Sequence, residues 1–379
     1  MNRMISLDRI ARMLATAPRV REARPIGLDL GAEGLHMLQL DGREQEPRIR
    51  AMLSTPYPAD REATLASPPQ LTSLLRQALK AGGFRGRRVV TAMPESGVRL
   101  MVLNYEIDRQ TSEPERILQL VGERIDEALE GCVVDYLPIR TSGEKHGAKS
   151  ALAVVARRDA VIDHLERLRA AGLEVEALEI SPVAVRRLVA RLLPDETDLN
   201  SLVVHCGARR SDLTVFSGRR LILYRELDFG EDETIGALGK SLEMSPEQAR
   251  SLLYQYGVRA DAEGRAWDDP AAAQEISETV LEILKPTFYA LKEQVDKACV
   301  YTASGWRGAS VDQVYLLGSI ARWPGFDGVL QGFLSLPVRI LEPLAAFAPV
   351  DGAEAAGRDR HREIAIAAGH ALRGVDADG

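Results

Sequence analysis

Cysteine is scarce in this chain of 379 residues: Cys132, Cys206 and Cys299 stand far apart and are odd in number. An odd set makes a poor disulfide framework, and no pair has metal-ligand spacing. Such usage fits a reducing compartment. The six histidines are His36, His146, His164, His205, His361 and His370, and only His205-Cys206 brings two ligand types together. Neighbours on a strand point to opposite faces, so that pair chelates poorly. Cys206 has no visible partner base and reads as a small buried hydrophobe rather than a nucleophile. Long apolar runs are also missing, and none reaches the length of a membrane span. Positive charge is not in excess either. The formal net charge is -7, which argues against a general nucleic-acid binder.

What is there is ordinary globular composition, 45% hydrophobic and 27% charged. The length exceeds what one core usually serves, so two domains are expected. Residues 1–25 carry Arg3, Arg9, Arg12, Arg19, Arg21 and Arg24 but lack the apolar centre of a secretion signal. Met4, Leu7, Ile10, Ala11 and Leu14 share one helical face. That arm reads either as a helix on an anionic membrane surface or as a frayed or self-packed segment.

The stretch IGLDLGAEGLHMLQL at 26–40 organises the rest. Apolar alternation, a turn at Gly31 and a second alternating run predict a tight hairpin with Asp29 near its tip. Such a turn can bring backbone N–H groups to phosphate oxygens, and the carboxylate can hold hydrated magnesium. An ordinary hairpin with a surface Asp has the same pattern. A third strand is expected at 49–55, a helix from Pro68 to the stop at Gly82-Gly83, and a buried strand at 88–93. Arg85, Arg87 and Arg88 read as a solvated edge before that strand.

Residues 98–175 read as an inserted α+β subdomain. It holds a strand at 98–107, a helix from about Pro114 to Glu130 capped by Thr111 or Ser112, and strands at 133–139 and 151–156. A polar hairpin at 142–149 joins those two strands, and a helix at 159–171 follows. No catalytic constellation sits there. A strand at 175–180 and a helix at 182–193 return to the first design. SLVVHCGARRSDLTVF at 201–216, a turn at Gly218 and RLILYREL then repeat the opening hairpin, a weak internal repeat. Helical segments at 229–257, a long helix at 275–301 with Pro286 inside it, a strand at 314–317 before Gly318-Ser319, a strand at 337–341 and a helix at 361–372 complete the chain. The apolar stripe of the long helix reads as core. The acids Glu226, Asp228, Glu231, Asp232 and Glu233 read as a solvated face or a site for a basic partner. The expected division is an arm at 1–24, a first half at 25–97 and 176–200, the insertion at 98–175, a second half at 201–373, and a disordered tail at 374–379.

The ordered set IGLDLGAEGLHMLQL (26–40), RVVTAMP (88–94), AVVARRDAVIDHLERLRAAGLEVEALEIS (153–181), VVHCGARRSDLTVFSGRRLILYRELDFG (203–230), VYLLGSIARWPGF (314–326) and AIAAGHALRG (365–374) resembles the actin/Hsp70-like, ribonuclease H-like ATPase fold. Within it the chain looks most like the type IV pilus assembly protein PilM family, relatives of the cell-division protein FtsA. The resemblance implies that ATP and magnesium lie between two halves. Asp29 and Gly31 match the first phosphate hairpin, Gly207 the second, and Gly318 and Ser319 the adenosine turn. Asp29 would be the carboxylate for the metal, and Arg209 would grip phosphate or fill the space. No catalytic residue is assigned.

Departures from the family pattern weaken that site. His205 replaces the usual second Asp, and Arg209 and Arg210 replace small residues. Ile320 replaces a glycine near the base, and Leu253 a lysine. The resemblance then implies a cytoplasmic adaptor, peripheral on the inner membrane, with at most a weak ATPase. Its partners would be a PilN-type inner-membrane protein, bound through its N-terminal cytoplasmic peptide, and other pilus assembly components. The peptide would enter a groove between the insertion and the first half. The alternative is an active, polymerising FtsA-like ATPase.

Overall fold

Glycine turns and apolar alternation do set the opening hairpin. β1 (Ile26–Leu30) pairs antiparallel with β2 (Gly34–Arg43), and β2 pairs with β3 (Glu46–Pro56). The structure, a computed structural model, describes residues 23–31, 34–43, 45–94, 97–107, 111–139, 148–193, 199–218, 220–259, 267–305, 310–348 and 361–373. Expectations for residues 1–22, for 140–147 and for the tail 374–379 lie outside the described residues. The chain divides into two compact units, residues 1–194 with 343–379, and residues 195–342.

In the first unit, a short helix α1 (Arg61–Ala66) is capped by Asp60, whose side chain accepts from the N–H groups of Glu62 and Ala63 at 2.9 and 3.1 Å. α2 (Pro68–Ala81) starts on paired prolines and presents Leu71, Leu74, Leu75 and Ala78 to the sheet. β4 (Arg88–Ala92) then lies parallel to β1. The insertion follows, with β5 (Val98–Glu106), α3 (Glu113–Gly122), β6 (Cys132–Ile139) and β7 (Ala148–Arg157). Its three strands form their own sheet in the order β5-β7-β6, with Leu103, Ile117, Val121 and Ala153 in a separate core. α4 (Arg158–Ala170), β8 (Glu174–Glu179) and α5 (Ser181–Leu192) return to the main sheet, whose order is β3-β2-β1-β4-β8.

The pattern predicts that α3 runs to Glu130, but it ends at Gly122. A Cβ at Gly122 would stand 3.0 Å from Leu129 Cδ1, so the chain folds back over that glycine. Ile125 keeps its buried place from an irregular segment. Ser112 is the cap, with Glu115 closing the capping box. The helix at 158–170 packs Leu168 with Ile26, Leu28 and Leu75 in the core of the main sheet, although the sequence assigns it to the insertion.

The last helix differs more. α10 (Ala365–Leu372) was expected in the second half but belongs to the first unit. It packs on β1, β2 and α5. Ile26 and Leu28 join the α2 and α4 side, while Gly27 between them meets α10. Both faces of β1 and β2 are therefore covered, and Leu35, Met37, Leu38 and Leu40 are all fully buried.

The second unit repeats the strand order. β9 (Asn200–Cys206), β10 (Ser211–Ser217), β11 (Arg220–Leu227), β12 (Gln313–Gly318) and β13 (Val338–Ile340) form the sheet β11-β10-β9-β12-β13. In each unit an antiparallel three-strand run precedes two parallel crossovers. The helices are α6 (Glu231–Leu242), α7 (Pro246–Tyr256), α8 (Pro270–Gly305) and α9 (Phe326–Leu334). α8 runs through Pro286 and buries Val280, Leu284, Phe288 and Leu291. Phe288, Trp323 and Phe326 pack as a ring cluster, with Phe288 and Phe326 centroids 4.7 Å apart.

Candidate functional site

Two hairpin tips carry the residues singled out from sequence. At the first, Asp29 on β1 stands opposite His36 on β2. A Cβ at Gly31 would lie 2.8 Å from His36 Cδ2, so glycine lets the imidazole close over the turn. His36 Nδ1 is 3.0 Å from Ser54 Oγ. The Gly31 carbonyl accepts from Tyr57 Oη at 2.9 Å and from Arg61 Nε at 2.8 Å. Arg61 Nη2 also reaches the Leu30 carbonyl, at 3.2 Å. Burial pushes the Tyr57 hydroxyl upward against the opposing pull of Arg61, and Asp29 adds to the rise, so Tyr57 remains a neutral donor. Sequence reasoning missed Tyr57 and Arg61 because neither has a local motif.

At the second tip the structure brings Gly207, Gly318 and Ser319 together. Gly318 is the register partner of Cys206, and Ser319 Oγ donates to the Cys206 carbonyl at 3.4 Å. A Cβ at Gly318, where φ is +77°, would come 2.2 Å from that carbonyl oxygen. The Gly207 carbonyl accepts from the Glu231 N–H at 3.1 Å and the Ala208 carbonyl from the Asp232 N–H at 2.9 Å. The N-terminus of α6 is thereby bonded to the turn. Arg209 is exposed at the tip, and Arg210 forms an ion pair with Glu226. Ile320 and Leu253 are wholly buried in the core of the second unit, so neither projects into a pocket. Burial pushes the Cys206 thiol up to about 12, which makes it an inert core group.

His205 does not leave this hairpin without a carboxylate. Directly across the ladder stands Asp212, and His205 Nδ1 lies 3.3 Å from its Oδ1. Asp212 Oδ2 is buried and has no hydrogen-bond partner among the described residues. The first hairpin has the acid on its leading strand and the imidazole opposite; the second has the reverse. The glycine tips fit a phosphate-cradling turn. Among the described residues no cluster of three or more His, Cys, Asp or Glu occurs. The acidic stretch is not a uniform solvated face, since Glu231 is 1% exposed. It accepts from Tyr254 Oη, over whose ring Arg322 stacks at 4.4 Å.

A third site was expected only in outline. A groove of about 100 Å³ runs between the insertion and the main sheet of the first unit, lined by Asp135, Tyr136, Leu137, Leu178, Ile180 and Val183 among others. β6 ends the order of the small sheet and β8 ends that of the main sheet, so two edge strands border it. Their outer N–H and C=O groups offer a ladder to an extended chain. The floor is a buried charge network. Arg187 grips Glu179 through two bonds, Nη1 to Oε2 at 3.1 Å and Nη2 to Oε1 at 2.8 Å. His370 Nδ1 meets Glu179 Oε2 at 3.0 Å, and Arg373 donates to Oε1. Burial would raise the Glu179 carboxyl, but the His370 hydrogen bond and the Arg187 charge outweigh it and hold the group well below the usual range.

The paired five-strand sheets with glycine-tipped hairpins define an actin-like ATPase fold. The family model described as type IV pilus assembly protein PilM matches residues 27–375, and the chain belongs to that family. A solved PilM-PilN type IV pilus biogenesis complex is similar at 24% identity and a TM-score of 0.77, covering 95% of this chain and 100% of that one. The ethanolamine utilization protein EutJ from Carboxydothermus hydrogenoformans is similar at 14% identity and a TM-score of 0.51, over 95% of this chain and 93% of its own. No curated protein matches. Among the described residues no helix is long and apolar enough to cross a membrane.

Proposed function

We propose that this chain is an actin-like adaptor of a type IV pilus or related secretion machine, cytoplasmic and peripheral on the inner membrane through its partners. Its groove takes the extended N-terminal cytoplasmic peptide of a PilN-type inner-membrane protein. The carrying observation is the groove itself: two sheet edges, an apolar lining and a floor fixed by Glu179 and Arg187. A peptide in that position gains ladder bonds from a strand edge and specificity from alternate side chains. The solved relative is a complex of PilM with PilN, which supports this choice of partner. Leu137 and Val183 are half-buried in the groove lining. Leu137→Arg and Val183→Arg should each weaken binding of the partner's N-terminal peptide at least tenfold, about 1.4 kcal/mol, in fluorescence anisotropy. Wild-type affinity in both variants would remove the groove from the proposal.

The second reading is nucleotide chemistry at the hairpins, favoured by the carboxylate retained at Asp212. The α6 N-terminus, whose Glu231 and Asp232 N–H groups are already bonded to the turn, supports weak ATP contact without turnover. Calorimetry with Mg-ATP, with phosphate release measured in parallel, should give weak binding and no hydrolysis. Saturable turnover abolished by Asp29→Ala would favour the polymerising ATPase instead.

A further inference from the structure

We propose that the first unit carries a docking site for the phosphate groups of anionic lipids, at the end of the unit where α2 and α4 terminate and β1 and β4 begin. A cavity of about 550 Å³ opens there, lined by Arg76, Lys80, Arg87, Leu79 and Phe84 with the Ala171-Gly172 turn. Arg76 Nη2 donates to the Ala170 carbonyl at 2.8 Å, and Arg87 Nη1 to the Gly172 carbonyl at 3.5 Å. Those bonds hold the guanidiniums at the C-terminal end of α4, where the helix dipole favours cations. One carbonyl occupies one of five N–H donors on each arginine. Lys80 makes no hydrogen bond or ion pair among the described residues, and no carboxylate of the described residues pairs with Arg76 or Arg87.

The excess of positive charge is local, since the whole chain is at -7. Neighbouring arginines are paired: Arg88 with Glu176 at 2.7 Å and Arg167 with Asp163 at 2.6 Å. The walls are built for close approach. A Cβ at Gly172 would stand 2.5 Å from Arg87 Nη1, and one at Gly82 would stand 2.1 Å from the Phe84 ring. Arginine forks and a lysine beside apolar side chains suit a phosphate with an apolar neighbour.

Where the chain enters selects a membrane surface as the occupant. Ala23 lies at this end, its carbonyl accepting from Arg88 Nη2 at 2.7 Å, and Ile26 is the register partner of Val89. The 22 residues before it hold Arg3, Arg9, Arg12, Arg19 and Arg21 against the two acids Asp8 and Glu22, so their side chains still carry a net positive charge. A cationic arm cannot neutralise a cationic cavity, so arm and cavity call for the same anionic partner. Lysines and arginines close to an anionic leaflet add their attractions, which salt weakens.

The test is flotation of the full chain with phosphatidylcholine vesicles, with or without phosphatidylglycerol. The expected result is salt-sensitive binding to the anionic vesicles only. It should fall at least tenfold in Arg76→Gln/Lys80→Gln/Arg87→Gln, and severalfold in Lys80→Glu, which removes no structural bond. Groove-peptide affinity should stay at the wild-type value in both, which separates this site from the adaptor reading. Equal binding to neutral vesicles would overturn the proposal, as would unchanged binding in Lys80→Glu. Calorimetry with inorganic phosphate supplies the other arm. Saturable phosphate binding lost in Lys80→Glu, with vesicle binding unaltered, would assign the cavity to a soluble anion and overturn the lipid source.

Discussion

Glu179→Ala should cost about 3–5 kcal/mol of stability in urea unfolding, because it leaves the Arg187 guanidinium buried without its counter-charge. The Arg187 side chain is 6% exposed and that of Glu179 3%. After the substitution Arg187 keeps one bond, from Nη1 to the Gly369 carbonyl at 2.8 Å. The cost comes from stranding a charge and not from the attraction alone, so Glu179→Leu/Arg187→Met should recover most of the loss. A double variant as unstable as the single would show that the network is not the cause.

The pH dependence of stability follows from two groups of the first unit. Glu179 has a depressed carboxyl, so its contribution is complete above its ordinary value of 4.5 and is lost as pH falls below it. His164, packed behind β4, is pushed down to about 4 from 6.5, chiefly by burial and then by the Arg167 charge. An unfolded chain takes up that proton first, so stability falls from about pH 6.5 toward pH 4. Glu179→Ala should flatten the profile below 4.5 and leave the His164 window in place.

The repeated hairpins were legible because glycine turns and alternation are local signals. Their strand order followed, since short connections leave few alternatives. The position of α10 was not legible. Apart from His370, AIAAGHAL is apolar all round, and all eight residues are buried, so no exposed polar face indicates which surface it covers. The groove was named from family resemblance but not its residues: Leu137, Leu178 and Arg373 come from two sheet edges and a helix end. Asp212 carries no local signal, because its role depends on ladder register, with His205 seven positions earlier. In sequence the basic run before β4 reads as a solvated edge, and what it borders depends on where α4 ends.

Gly27→Ala should be as damaging as a large core substitution, although it adds one methyl group. A Cβ there would sit 1.9 Å from the Ala367 carbonyl oxygen and 2.5 Å from the Ala371 nitrogen. Backbone of α10 cannot turn aside as a side chain does, so the helix must shift. On its other side Gly369 is equally tight, with a Cβ there 2.2 Å from the Ala184 carbonyl of α5. The helix is wedged between strand and helix, and the expected cost is about 3 kcal/mol. Gly236→Ala is the control, because no heavy atom lies within 4 Å of its Cβ position in α6. That change should stabilise by about 0.5–1 kcal/mol. The two variants alter composition identically, so opposite shifts in melting temperature isolate the packing term. Arg373 follows directly on α10 and lines the groove. Gly27→Ala should therefore also weaken binding of the partner's peptide, from a position on a different strand. A melting temperature at or above wild type for Gly27→Ala would mean that α10 does not pack against β1 as described.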